Sequence, residues 1–196
     1  MHSRHPYPSC SDALMPTGQA MLDSAARAAL CEAAAALDRA ERQAQPLPMS
    51  LALTQVARCL RALQAPGPAE SYLERALAWA RLLGAADAAV DILCLLAETS
   101  GAVAERSAID GTTQHHAALE RTRDRAFEAV ALAGHVADAQ WEVAVLLRIS
   151  DVLDRCGDHD DAVQLQVRAL RLMSGSLYPG LPDPHLLPGL GRLADG

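Results

Sequence analysis

Cys156, Asp158, His159, Asp160 and Asp161 bring a thiol, an imidazole and three carboxylates into the short stretch between Arg155 and Ala162. Such groups could ligate a metal or relay protons if they converged on one point. They occupy nearly consecutive positions, however, and neighbouring side chains diverge once a helix starts. Gly157 can take the left-handed conformation that ends one helix, and Asp158 or Asp160 can cap the next. Negative charge also suits the positive end of a helix. The cluster reads as a turn between two helices, with Ala162 small because two backbones cross closely beside it.

The other reactive sets are weaker. His116 and Glu120 have the i, i+4 spacing that could form one edge of a metal site, but the sequence places no third ligand, and histidines at a solvated helix start account for the pattern. His2, His5 and Cys10 could gather a metal only by ordering the arm that carries them. Ser, His and Asp are plentiful, yet no G-x-S-x-G elbow or comparable nucleophile turn occurs. All 17 basic residues are Arg, and the chain has neither Lys nor Asn. A P-loop lysine, a Schiff-base lysine and a Ser-Lys dyad are thereby excluded. No catalytic residue, metal ligand or cofactor is expected, and the chain reads as a non-enzyme.

The elements that must position any site are helical. Half of the 196 residues are apolar but only 3% are aromatic, so the core must be built of Ala, Leu and Val. Five widely spaced cysteines form no C-x-x-C pair and read as reduced thiols. The N-terminus has no apolar signal core, and Arg81, Asp87 and Asp91 interrupt the longest apolar region, so a soluble, cytoplasmic protein without a membrane partner is expected. A formal charge of −7 argues against nucleic acid as a partner.

Residues 1–16 carry three prolines without apolar periodicity and read as a mobile arm. A helical domain follows over residues 17–173. Apolar steps of three and four predict a helix from Gly18 to Ala44, ended by Gln45-Pro46-Leu47-Pro48. A second helix is expected over Ser50 to Gln64 with Ser50 as N-cap, and a third over residues 69–83 after the turn Ala65-Pro66-Gly67-Pro68. The fourth starts near Ala86; Ser100-Gly101 could break it, but Asp110-Gly111-Thr112-Thr113 is the preferred stop. Three more helices are expected over residues 113–133, 137–155 and 160–173. Residues 174–196 hold four prolines among leucines, which excludes a continued helix. That tail reads as disordered or, alternatively, as an extended cover on the seventh helix or the groove.

Three segments repeat one another. Residues 72–85, 122–135 and 165–176 each carry Arg followed by Ala, at Ala76, Ala126 and Ala169. Residues 143–176 place Gly157, Asp158, Ala162, Ala169 and Leu170 at the offsets of a tetratricopeptide repeat, which that stretch resembles. Residues 50–83 match through Ala57, Leu60, Ala69, Ala76 and Leu77, with Gly67 the available substitute for the turn glycine; the middle pair matches through its second helix. The intervals exceed the roughly 34 residues of the basic unit. The resemblance implies an all-α, right-handed α–α superhelix of about three helix pairs plus an N-terminal helix.

It also implies a function. In that family the first helix of each pair lines the inner groove, which carries Gln55, Arg58 and Arg61 over from one pair and Arg148, Asp151 and Arg155 from another. Ordinary solvated helix faces would carry the same residues. Arg suits bidentate recognition of carboxylates, so an acidic protein or peptide segment is the expected partner. The family's Lys- and Asn-based carboxylate clamp cannot be built here. Binding as an adaptor or scaffold is the leading reading. A chaperone of the secretion type is a specialised form of it, and a self-associating structural module, a homodimer, is an alternative of another class. Trp79 and Trp141 read as helix-packing residues, with anchoring of a partner as the other use.

Overall fold

The computed structural model describes residues 16–109, 114–136 and 138–177. Seven α-helices and no strands occur among them: α1 (Pro16–Arg42), α2 (Pro46–Ala62), α3 (Pro66–Leu82), α4 (Ala86–Ile109), α5 (Gln114–Ala133), α6 (Ala139–Arg155) and α7 (His159–Leu177). The all-α expectation holds. No helix among the described residues is long and apolar enough to cross a membrane. The chain divides into two compact units at Ala85 and Ala86, the first holding α1 to α3 and the second α4 to α7. Pro16, the last residue of the expected N-terminal arm, begins α1 instead; the rest of the arm, its metal-scavenging set, and the tail beyond Leu177 lie outside the described residues.

One turn device recurs between helices. Ala44, Gln64, Gly84 and Gly157 all have positive φ, between 48° and 87°. Each donates its N–H three residues back, and the residue after it donates five residues back; Asp158 N to Leu153 O at 2.9 Å is one example. This Schellman pattern satisfies the last carbonyls of a helix and reverses the chain within a few residues. Glycine suits the position because it has no Cβ to clash in the left-handed region. Gln64, with φ of 57°, takes the place for which Gly67 was the expected substitute; Gly67 lies in the first turn of α3 instead.

The starts of α2 and α3 correct the expectation that prolines separate these helices. Pro46 and Pro66 are the first residues of their helices, with Gln45 and Ala65 at the cap positions. The first N–H groups of a helix have no intrahelical acceptor, so proline is admitted there without loss. Ser50 is therefore not an N-cap. It lies buried within α2, and its hydroxyl donates to the carbonyl of Ala76 in α3 at 3.2 Å. Asp138 does cap α6, accepting from the N–H groups of Gln140 and Trp141 at 3.0 and 3.1 Å.

Helix α4 passes through Ser100-Gly101 without a break. A Cβ at Gly101 would stand 3.5 Å from the sulfur of Cys156, the residue that caps α6, 3.8 Å from Val152 of α6 and 3.9 Å from the Thr122 methyl of α5, so this is where α4 meets both neighbours. The hydroxyls of Thr99 and Thr122, fully buried there, donate to the carbonyls four residues back, Leu95 and Ala118. Helix α7 extends four residues past its expected end at 173. Proline restricts the residue immediately before it, and the first proline of the tail is Pro179. The three alanines aligned by the repeat, Ala76, Ala126 and Ala169, are all fully buried.

Candidate functional site

At 100° per residue, Leu51, Gln55, Arg58 and Ala62 fall on one side of α2, and all four are exposed. Leu51 is 61% exposed. Arg58 forms no ion pair among the described residues, which leaves its five donors open to a ligand. Gln55 turns its amide along the helix towards the Cys59 sulfur at 4.0 Å. Arg61 stands apart: it is half-buried, on the flank that Ser50 fixes against α3. Of the three sequence-derived positions on α2, Gln55 and Arg58 share an open face and Arg61 does not.

The three positions on α6 also separate. Asp151 and Arg155 are exposed and pair with each other at 3.3 Å, one turn apart. Arg148 is half-buried and engaged by Glu98 of α4. Burial alone would pull its guanidinium down, but the hydrogen bond and charge of Glu98 outweigh that and leave it raised. Arg148 thus ties α4 to α6. Its partner lies on another helix 50 residues away, and no local pattern marks it.

The acidic cluster that could have been a metal site has a different occupation. Asp158 is drawn to α5, accepting from Arg123 Nε at 2.6 Å and from the second guanidinium nitrogen as well. His159 instead pairs with Asp154 at 2.6 Å. Among the described residues no group of three His, Cys, Asp or Glu is placed to hold a metal ion. His115 donates its Nδ1 proton to the Ala104 carbonyl of α4 at 2.9 Å, while the exposed His116 pairs with Glu120 at 3.3 Å. Burial pushes the Cys94 thiol up to about 11, so it stays protonated at neutral pH and supplies no thiolate nucleophile. Trp79 and Trp141 are both half-buried.

The Asp158–Arg123 pair makes a pH prediction. The guanidinium's hydrogen bond, then its charge, hold the Asp158 carboxyl below the usual carboxylate range. A depressed carboxyl contributes its stability in full above the unfolded value, about 4, and loses it as pH falls through the folded value. Asp158→Asn should therefore unfold at lower urea than the parent at neutral pH, by roughly 0.5 to 1 kcal/mol because Arg123 is half-exposed. The difference should shrink progressively as pH falls below about 4. A constant difference across that range would show that the ionised carboxylate is not what Asp158 supplies.

The first unit holds a feature that sequence reasoning missed. Leu30, Ala34, Leu37, Asp38 and Glu41 of α1, Val56 and Leu60 of α2, and Pro68 and Tyr72 of α3 enclose a cleft of about 420 Å³. Helices α1 and α3 both pack on α2, and Val56 and Leu60 form the floor between them. Arg75 crosses the mouth, bonding Glu41 at 3.1 Å with its guanidinium carbon 6.0 Å from the centre of the Tyr72 ring. The available signal was the run Leu30, Leu37, Asp38, Glu41, in which an apolar stripe gives way to acid at one end.

No family model matches the chain, and no curated protein matches it.

Proposed function

We propose that the chain is a non-enzymatic, tetratricopeptide-like module that binds a protein or peptide segment through exposed faces of its helical hairpins. The observation that carries this reading is the open face of α2, where Leu51, Gln55 and an unpaired Arg58 stand side by side. Arg offers two parallel donors to a carboxylate, and the neighbouring leucine offers apolar contact. A segment combining an acidic and an apolar residue fits that face. Asp151 and Arg155 with Leu147, which is 45% exposed, give α6 a comparable face whose charges already satisfy each other. The turn device shared by the α2–α3 and α6–α7 hairpins and the buried Ala76, Ala126 and Ala169 support a repeat.

A second reading rests on α7. Val163, Val167, Leu170 and Met173 are 40% to 60% exposed and lie along one side of that helix. An apolar stripe of this kind suits self-association.

One experiment addresses both. The full chain is immobilised, the proteins captured from its native host are identified, and affinity for the purified partner is then measured. Arg58→Glu should weaken binding about tenfold, while Arg27→Glu, on α1, should leave it unchanged. If the captured protein is a second copy, held equally by Arg58→Glu and lost in Leu170→Glu, the self-association reading replaces the first.

A further inference from the structure

The geometry points to a second recognition site, the cleft of the first unit, which takes a peptide segment presenting a large apolar side chain beside an arginine or lysine. This goes beyond the acidic-segment reading, because the cleft floor and the Arg58 face lie on opposite sides of α2. The body of the cleft is apolar: Leu30 and Leu37 form one wall, Val56 and Leu60 the floor, and Pro68 and Tyr72 the other wall. Its volume, about 420 Å³, lies within the range of ligand pockets, roughly 300 to 1,000 Å³.

The mouth has a defined polarity. Asp38 and Glu41 stand on the α1 wall and the Tyr72 ring on the α3 wall; Asp38 is held by Arg42 one turn along its own helix, which leaves the Glu41 carboxylate, shared with Arg75, to face an incoming cation. A carboxylate facing an aromatic ring receives a cation from both sides, by charge and by the ring quadrupole. The chain's own Arg75 demonstrates that chemistry: it touches Glu41 while lying over Tyr72. Its side chain is 55% exposed and its carboxylate partner 47%, so the contact is a weak surface pair that an incoming guanidinium can displace. The walls are open where Ala34 and Pro68 are exposed, which admits a chain segment rather than enclosing a small molecule.

The test uses fluorescence anisotropy of the full chain with two short labelled peptides, identical except for Leu-Leu-Arg or Leu-Leu-Glu at the centre. The Arg peptide should bind at least about tenfold more tightly than the Glu peptide. Glu41→Gln should weaken it. Arg75→Ala, which vacates the guanidinium position, should strengthen it several-fold. Ala34→Phe places a ring in the cleft from an exposed position and should abolish binding, whereas Arg58→Glu should leave it unchanged and so separates this site from the α2 face. Equal binding of the two peptides, indifference to Ala34→Phe, or weaker binding in Arg75→Ala would overturn the assignment. Absence of binding to the Arg75→Ala chain would do the same.

Discussion

Leu153→Ala should destabilise the second unit by about 2 to 5 kcal/mol, a large fraction of the roughly 5 to 15 kcal/mol that holds a domain folded. Leu153 has no solvent exposure. It lies on α6 beside Leu146 and Ile149, which are equally buried, and its carbonyl receives the Asp158 N–H that closes the turn into α7. Truncation removes buried apolar surface and leaves a cavity that rigid neighbours fill only in part. Leu170→Ala is the control, since Leu170 is 60% exposed and should change little. Urea unfolding with an unchanged slope measures both. Equal, small losses would show that α6 is not the centre of this core.

Ala162→Leu should cost about 1 to 3 kcal/mol by the opposite mechanism. Ala162 is 1% exposed on α7, in the first turn after Gly157, where its N–H bonds the Asp158 carbonyl. A larger side chain has no void to enter, so it must force the helix away from its neighbour or adopt a strained rotamer. Ala126→Leu on α5 should behave in the same way, because Ala126 is fully buried and aligned with Ala76 and Ala169 in the repeat. Replacement by Ser at Ala162 should be milder than replacement by Leu. Thermal melts that rank Ser below Leu in stability would indicate that polarity, not space, is what the position selects.

The periodic alanines and leucines made the seven helices legible before any coordinates. Spacing of three and four residues reports which side of a helix is buried, and that information is local. Gly157 announced its turn for the same reason. Gln64 and Ala44 did not, because the Schellman geometry was imposed on residues that do not prefer it. The starts of α2 and α3 were hidden by prolines, which stop a helix from within and begin one equally well.

The candidate site was less legible. Arg58 was carried to a helix face by the resemblance to the tetratricopeptide repeat, but Arg148 could not be assigned as open or engaged without knowing where Glu98 would lie. Arg123 and Asp158 were separated by the whole of α6. The cleft depends on three helices meeting, and a one-dimensional pattern does not encode the gap between two neighbours of a third.

The claim that the α2 face is a binding surface is tested most directly by placing a photo-crosslinking phenylalanine analogue at Gln55 of the full chain and irradiating it in its native host. The expected result is an adduct with a protein other than the chain itself, absent when the analogue stands at Arg27 and diminished when Arg58→Glu is added. An adduct formed equally from both positions, one formed only with a second copy of the chain, or no adduct from Gln55 would contradict it.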